Sequence, residues 1–132
     1  MKKIVNKLSV EHQTTDPFKI AKERNITVIT KELGNIKGFY KKILRRKYIF
    51  INSNLSRIEK IIVCGHELGH AILHDTKGLQ FMLEHGDLIK RSVLEDEAND
   101  FSLSLFFYGN DNCYNAEEYN NLKKWVQKMK NC

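Results

Sequence analysis

One stretch of the sequence, residues 64–74, reads CGHELGHAILH and contains the pentapeptide HELGH. Four residues of an α-helix make slightly more than one turn, so His66 and His70 project from one face, only about 40° apart. Two imidazoles in this arrangement can bind one Zn²⁺ ion, with Glu67 beside a water molecule on the metal. The stretch therefore predicts a helix that carries half of a catalytic zinc site.

The preceding residues predict where this helix begins. Residues 56–59, SRIE, form a capping box, in which the side chains of Ser56 and Glu59 bond to free backbone N–H groups. They predict a helix from Ser56 to about His74. The aliphatic residues of this helix are Ile58, Ile61, Ile62, Leu68 and Ile72. We expect so apolar a helix to be largely buried against a sheet.

A catalytic zinc site uses three protein ligands, so a third ligand must come from outside HELGH. One common extension, HExxHxxGxxH, is absent, because Leu73 and Thr76 stand where it requires Gly and His. A third histidine by that route is excluded. The next helix is the better source: residues 92–95, SVLE, are a second capping box and predict a helix from Ser92 to about Tyr108, ended by Gly109-Asn110.

Two residues of that second helix share one face. Glu95 and Asn99 are four positions apart, whereas Glu97 is rotated about 200° from Glu95. Asn99 could accept a hydrogen bond from the distal N–H of a zinc-bound histidine. We therefore predict Glu95 as the third metal ligand, Asn99 as a support for a ligand histidine, and Glu97 as the alternative ligand. Without HELGH upstream, these acids would be interpreted as charges favoured near a helix N-terminus.

The remaining elements predict an α+β fold. Asp16 and Pro17 suit the start of a short helix that ends at Asn25. The β-rich runs are residues 26–30, 36–43 and 47–51, with a turn at 44–46 between the last two. Residues 75–87 are predicted to be mostly irregular, and 115–129 to form a last helix. We expect a single domain, residues 1–132, in which a small antiparallel sheet of about three strands packs against the HELGH helix and two further helices.

Composition bounds the class of protein. The chain has 132 residues, of which 42% are hydrophobic and 29% charged, as in soluble globular domains. The N-terminus lacks the apolar run of a signal peptide, and no segment approaches the ~20 apolar residues of a membrane span.

Cys64, Cys113 and Cys132 show no CxxC spacing, so a disulfide framework is not expected. Cys64 lies about 200° from His66 and should be a core residue. The expected compartment is the cytoplasm.

The net charge of +6 is densest in one segment, whose cations are Lys37, Lys41, Lys42, Arg45, Arg46 and Lys47. A solvated hairpin, whose lysines protect an edge strand against aggregation, is the simplest interpretation. No nucleic-acid-binding motif accompanies the charge, so direct binding of nucleic acid is not expected, and a DNA-binding module is only the third hypothesis. The patch could equally favour an acidic protein partner.

Four motifs occur in a fixed order: IFIN at residues 49–52, NLS at 54–56, HELGHAILH at 66–74 and EDEANDF at 95–101. Their order and spacing, over roughly residues 15–110, resemble the ImmA/IrrE family of metallopeptidases. This combination is far more specific than HExxH alone. Ser102 stands where the family usually has Ala, a departure that leaves the predicted ligands unchanged.

The resemblance implies a zincin-like, gluzincin-type protease with one Zn²⁺ ion. Matched position by position, His66 and His70 would be metal ligands, Glu67 the catalytic base and Glu95 the third ligand. The short form resembles the ImmA members of phages and integrative elements, which cleave a helix-turn-helix repressor encoded beside them. We therefore expect a zinc endopeptidase with such a repressor as its partner. The alternative is a non-catalytic anti-repressor that binds its partner and holds zinc structurally.

Further residues are candidates for contacts in this site. His74 lies one turn beyond His70 and could support it or contact the substrate, although a partly buried structural histidine is equally compatible. An additional oxyanion donor could be His74, His85 or Tyr40, and the sequence does not choose among them. An extended substrate could pair with the edge strand of the sheet, which the sequence does not identify.

Overall fold

The computed structural model describes residues 1–74, 88–109 and 115–128, and it leaves the side chains of residues 88–90 undescribed. These ranges contain five helices, which are α1 (Lys2–His12), α2 (Pro17–Glu23), α3 (Arg57–Leu73), α4 (Leu88–Gly109) and α5 (Ala116–Gln127). The strands are β1 (Ile26–Lys31), β2 (Gly38–Ile43) and β3 (Arg46–Asn52). The predicted α+β class is confirmed. The predicted irregular segment 75–87, with His85, lies outside the described residues, as do Asn110 and Met129.

Two helix starts follow the capping chemistry expected from the sequence. At the start of α2, a carboxylate oxygen of Asp16 accepts a hydrogen bond from the N–H of Phe18 at 2.9 Å. At the start of α3, Oγ of Ser56 accepts from the N–H of Glu59 at 3.2 Å, and Oε1 of Glu59 accepts from the N–H of Ser56 at 2.9 Å. These three bonds satisfy backbone donors at the helix starts that would otherwise be free, so these two predicted boundaries are confirmed.

Two features of the helices differ from the expectation. The predicted start of the second helix at Ser92 is wrong. The helix α4 begins at Leu88, so Ser92 and Glu95 lie inside it and do not form a capping box. The pattern S-x-x-E also fits a helix interior, where Glu95 is free to point at a neighbouring helix. The helix α1 was not predicted, because its apolar residues are sparse and it buries only Val5 and Leu8.

The sheet is mixed, not antiparallel throughout as predicted. Its order is β1-β3-β2, with β1 parallel and β2 antiparallel to the central β3. The tight turn from β2 to β3 enforces the antiparallel pair, and β1 pairs with the other edge of β3, which makes β3 the central strand. The connection from β1 to β2 passes the end of β3, where Nδ2 of the buried Asn52 donates to the carbonyl oxygens of Gly34 and Ile36, both at 2.9 Å. This amide holds the crossing loop in place.

One face of the sheet packs on α3, as expected from the apolar character of that helix. The side chains of Tyr40, Ile49 and Ile51 are buried, and they belong to the same core as Ile62 and Val63 of α3. Gly38 allows the close approach of β2, because a Cβ there would lie 2.6 Å from both the carbonyl oxygen of Phe50 and a methyl group of Val63. In the part of the chain that the structure describes, no helix has both the length and the apolar character to cross a membrane.

Candidate metal centre

The helices α3 and α4 lie close together because α3 presents two glycines to α4. A Cβ at Gly65 would lie 2.7 Å from Oγ of Ser102, and one at Gly69 would lie 3.1 Å from the ring of Phe101. Any larger residue at these positions would push the two helices apart. The hydroxyl of Ser102 also donates to the backbone carbonyl of Ile62 at 2.6 Å, which ties the helices together at the same place.

This close approach brings the carboxylate of Glu95 onto the two histidines of HELGH. Its Oε2 lies 3.0 Å from Nε2 of His66, and its Oε1 lies 2.9 Å from Nε2 of His70. Both imidazoles are almost fully buried, whereas the Glu95 side chain keeps 15% of its surface exposed. The structure therefore gathers the three predicted ligands around one point, with their donor atoms facing each other.

The orientation of His66 is held from α4. Its Nδ1–H donates a hydrogen bond to Oδ1 of Asn99 at 2.6 Å, and Asn99 is itself buried. An amide oxygen can only accept, so Nδ1 carries a proton, and Nε2 is the nitrogen that faces Glu95 and that would bind a metal ion after losing its own proton. Asn99 thus lies where the sequence led us to expect a support for a ligand histidine.

The orientation of His70 is held from its own helix. Its Nδ1 lies 3.1 Å from Nδ1 of His74, and Nε2 of His74 lies 3.6 Å from Oε1 of Glu97. Burial, followed by the charge of His70, lowers the pKa of His74, so its neutral imidazole can accept the Nδ1–H of His70. Glu97, the alternative ligand in the sequence analysis, faces His74 and not the point shared by His66, His70 and Glu95.

Glu67 occupies a buried position beside the histidines. Its carboxylate accepts a hydrogen bond from the backbone N–H of Tyr40, on strand β2. Burial raises the pKa of Glu67, and the charges of His66 and His70 only partly oppose that effect. A carboxylate with a raised pKa is suited to accepting and releasing a proton near neutral pH.

The charges of the acids also alter the titration of the groups around them. Burial disfavours the imidazolium of His66, but the charges of Glu67 and Glu95 and the bonds to Glu95 and Asn99 outweigh it and raise the pKa of His66. Burial of Glu95 acts to raise its own pKa, yet the hydrogen bonds from His66 and His70 lower it to about 2. In the absence of metal these interactions favour a proton on His66 beside an ionised Glu95, and a cation bound at Nε2 of His66 would have to displace that proton.

The donor set fits a metal ion. Ligand atoms of His66, Glu67 and His70 all lie within 4.8 Å of one another, and Glu95 adds a carboxylate in contact with both imidazoles. In a tetrahedral zinc site with bonds of about 2.0–2.1 Å, neighbouring ligand atoms lie about 3.3 Å apart. The observed separations of 2.9 and 3.0 Å between Glu95 and the imidazoles are close to that value, so little rearrangement is needed to admit the ion.

The structure also shows contributions that the sequence analysis did not anticipate. Gly65 and Gly69 set the distance between α3 and α4, and their G-x-x-x-G spacing was a signal that could have indicated it. Tyr40 was named only as an oxyanion donor. Its side chain is buried in the core, and it is the backbone N–H that meets Glu67. No sequence pattern marks that bond, because it depends on where β2 crosses α3.

Comparison with known proteins agrees with this geometry. Residues 21–109 match the family model of the IrrE N-terminal-like domain, Peptidase_M78. The chain is also 43% identical, over 106 residues, to the "Uncharacterized immunity region protein 2" of Bacillus phage phi105, an alignment that covers 80% of this chain. The chain spans 66% of the length of that relative. No solved structure was found to match. The matched residues contain the whole HELGH helix and the Glu95/Asn99 face, and the chain belongs to the IrrE N-terminal-like family of peptidases.

Proposed function

We propose that this protein is a zinc-dependent endopeptidase that cleaves a regulatory protein, namely a helix-turn-helix repressor of a phage or mobile element. The observation that carries the proposal is the contact of one carboxylate, Glu95, with Nε2 of both His66 and His70, beside the buried Glu67. Membership of a peptidase family supports the reaction class. The phage relative, named an immunity region protein, supports a repressor as the partner. Such a substrate would place the enzyme in the cytoplasm.

In this proposal His66, His70 and Glu95 hold one Zn²⁺ ion, and Asn99 and His74 fix the orientation of the two imidazoles. A bound Zn²⁺ ion supplies a Lewis acid that polarises the scissile carbonyl and lowers the pKa of an attacking water. With these three donors, a four-coordinate ion would keep one position open for water, as a catalytic site requires and a purely structural site does not.

Glu67 is the proposed general base and acid. Its carboxylate accepts a proton from the attacking water and passes it to the nitrogen of the leaving amine. The N–H of Tyr40 keeps the carboxylate oriented, and burial raises its pKa towards the range in which both transfers are efficient. Because Tyr40 belongs to β2, the same bond fixes the position of Glu67 relative to that strand.

Strand β2 is the proposed binding edge for the substrate. It lies at one end of the strand order β1-β3-β2, and its Tyr40 directs a backbone N–H towards Glu67. An extended polypeptide can add to such an edge through main-chain hydrogen bonds, which give affinity with little dependence on sequence. The cleaved bond would then lie beside Glu67, close to the point where β2 crosses α3.

The variant Glu67→Gln tests the reaction. The zinc-loaded wild-type protein is incubated with the helix-turn-helix repressor encoded beside its gene, and the products are identified by mass spectrometry. We expect Glu67→Gln to bind zinc as the wild type does and to lose cleavage by at least about a hundredfold, because general acid–base catalysis contributes that much. Cleavage by Glu67→Gln at the wild-type rate would contradict the mechanism.

A reporter gene controlled by the repressor separates catalysis from binding. If Glu67→Gln relieves repression as fully as the wild type, the protein acts as a non-catalytic anti-repressor and the proposal is wrong. The substitution Glu59→Gln, at the start of the same helix, keeps a side-chain acceptor for the cap; it is the matched control and should leave cleavage unchanged.

A further inference from the structure

The excess of positive over negative charge in this protein comes from one segment of the chain. Between Glu32 and Glu59 the sequence holds seven Lys or Arg residues and no acid. Outside this segment, 15 Lys and Arg stand against 16 Asp and Glu, so the rest of the chain is close to neutral. The net charge of +6 is therefore a property of this segment, and its placement in the fold decides which surface is basic.

Most of these cations surround the turn between β2 and β3. We call this surface the basic hairpin tip and define it as residues 41–47, KKILRRK, which hold five of the seven cations. Residues 41–46 are all exposed. The strands on either side pair Lys42 with Lys47 and Ile43 with Arg46, so cations from both strands share one small surface. Such a concentration of one sign of charge attracts an acidic partner.

The tight turn between β2 and β3 calls for a positive φ at residue 44, but it does not explain why the residue there is an exposed leucine. The φ of Leu44 is 57°, in the left-handed region that disfavours residues with a branched or bulky side chain, and the side chain is 93% exposed. At two other positive-φ positions this chain uses Asn25 and Gly34. Its neighbour Ile43 is 46% exposed. The basic hairpin tip thus presents two aliphatic side chains among its cations.

These aliphatic side chains favour a protein partner over nucleic acid. A phosphate backbone is recognised through charge and hydrogen bonds, and an exposed leucine adds nothing to that recognition. A protein segment that combines acids with an aliphatic residue would use both properties of the tip. Protection of the edge strand against aggregation needs the lysines alone and leaves Ile43 and Leu44 unexplained.

The basic hairpin tip is continuous with the proposed substrate edge. Tyr40 bonds to Glu67, and the tip begins at the next residue of the same strand. A polypeptide paired with β2 advances by about 3.3 Å per residue, so from Tyr40 it reaches Ile43 after about 10 Å. A substrate whose cleaved bond lies at Glu67 therefore carries residues from about two to five positions away onto the tip.

We propose that the basic hairpin tip binds an acidic segment of the protein substrate, in which an aliphatic residue packs on Leu44. This inference rests on the proposed peptidase function, since it assigns the tip a role in choosing the polypeptide that enters along β2. The acidic segment lies within a few residues of the cleaved bond, and the ion pairs with Arg45 and Arg46 add specificity that main-chain pairing does not supply.

The test measures binding separately from cleavage. Two short fluorescein-labelled peptides share the same aliphatic residues; the first carries a run of Asp and Glu, and the second carries Asn and Gln in their place. Fluorescence anisotropy gives the affinity of each for the full chain with Glu67→Gln, and for the metal-free wild type as a second non-cleaving form. We expect the acidic peptide to bind at least about tenfold more tightly than the amide peptide. Its affinity should fall as the NaCl concentration is raised.

Charge reversal at the tip should remove that preference. We expect R45E/R46E to lower the affinity for the acidic peptide by at least about tenfold. The control K2E/K3E makes the same change in net charge on exposed residues of α1 and should leave that affinity unchanged. Leu44→Asn should weaken binding several-fold without loss of stability, because Asn tolerates a positive φ better than Leu. Equal binding of both peptides, or no effect of R45E/R46E, would overturn the proposal.

Two further results distinguish this proposal from its competitors and from the proposed function. A double-stranded DNA fragment that binds more tightly than the acidic peptide, and loses that affinity in R45E/R46E, would make the tip a nucleic-acid surface and overturn the inference. If the wild type cleaves the acidic and amide peptides equally well, the peptidase function stands and the inference fails. If the acidic peptide binds at the tip but the zinc-loaded wild type never cleaves the repressor encoded beside its gene, the docking surface stands and the peptidase function fails.

Discussion

The Nδ1–H group of His66 donates a hydrogen bond to Oδ1 of Asn99 across 2.6 Å, from α3 to α4. This bond joins a residue of HELGH to a residue 33 positions later in the chain. It selects the tautomer of His66, and it depends on the close approach of the two helices at Gly65 and Gly69. The metal centre is therefore a property of the α3–α4 contact and not of the HELGH helix alone.

Asn99→Ala should reduce metal affinity while leaving all proposed ligands in place. The His66 imidazole would lose the acceptor that fixes its orientation, and substitutions of this kind cost about 10- to 100-fold in affinity. Competition with a chromogenic zinc chelator measures the effect. Asp100→Ala, an exposed change at the next position of α4, should leave affinity unchanged. An unaltered affinity in Asn99→Ala would show that Asn99 does not orient His66.

Glu95→Gln and Glu97→Gln should have clearly different effects on zinc binding. Glu95 contacts Nε2 of both His66 and His70, whereas Glu97 reaches only His74 at 3.6 Å. We expect Glu95→Gln to abolish stoichiometric zinc binding in metal analysis of the purified protein. Glu97→Gln should lower affinity by no more than about tenfold, because Glu97 could act on the metal only through His74 and His70. The reverse ranking would make Glu97 the third ligand.

Gly65→Ala should destabilise the protein because its Cβ would lie 2.7 Å from Oγ of Ser102. Overpacking of this kind costs about 1–3 kcal/mol of unfolding free energy, measured by urea denaturation. In a Ser102→Ala background the colliding oxygen is gone, and the helix propensity of Ala, about 1 kcal/mol better than that of Gly, should bring the cost of Gly65→Ala close to zero.

A second double mutant is the control for the comparison of Gly65→Ala with and without Ser102→Ala. Gly65→Ala and Ser104→Ala should be additive within about 0.5 kcal/mol, because Ser104 bonds to Asp100 on its own helix and lies outside the contact with Gly65. If Gly65→Ala were equally costly in the Ser102→Ala and Ser104→Ala backgrounds, the hydroxyl of Ser102 would not be the group that limits the approach of α3 to α4.

Zinc affinity should fall steeply as the pH is lowered from 8 to 6. The acids of the site raise the pKa of His66 above its ordinary value of 6.5, so the metal-free protein binds a proton on this imidazole more readily than an ordinary histidine does, and the ion must displace it. Affinity falls about tenfold per pH unit for each proton displaced. Glu95, whose pKa is about 2, stays ionised throughout and does not contribute to this change. A zinc affinity that does not change between pH 6 and 8 would show that zinc binding does not displace a proton from His66.

The same groups give the metal-free protein an acid-sensitive stability. The pKa of Glu95 is lowered in the folded state from 4.5 to about 2, so its stabilising effect is complete above pH 4.5 and is lost as the pH falls towards 2. The difference in unfolding free energy between the wild type and Glu95→Gln should therefore shrink over that interval. Urea denaturation of both proteins at several pH values measures it. A difference that stays constant would show that the ionised form of Glu95 is not stabilised by its contacts with His66 and His70.

Local sequence patterns determined the parts of this protein that depend on near neighbours in the chain. The capping box at Ser56, the cap at Asp16 and the shared face of His66 and His70 follow from helix geometry over a few residues. The pairing of Glu95 with Asn99 on one face follows from the same periodicity. For this reason the sequence could name a metal-binding helix, a third ligand candidate and its family resemblance.

Tertiary packing decided what the chain could not encode locally. Whether β1 runs parallel or antiparallel depends on which strand becomes central, and the buried Ile49 and Ile51 of β3 give it that place. That Glu95 rather than Glu97 contacts His66 and His70 depends on how α4 crosses α3, and Gly65 and Gly69 allow that close crossing. Sequence periodicity determines which residues share a face of one helix or strand, but only packing determines the distances between two such elements. The candidate metal centre, the contact of Tyr40 with Glu67, and the position of the basic hairpin tip beside that contact all depend on such distances.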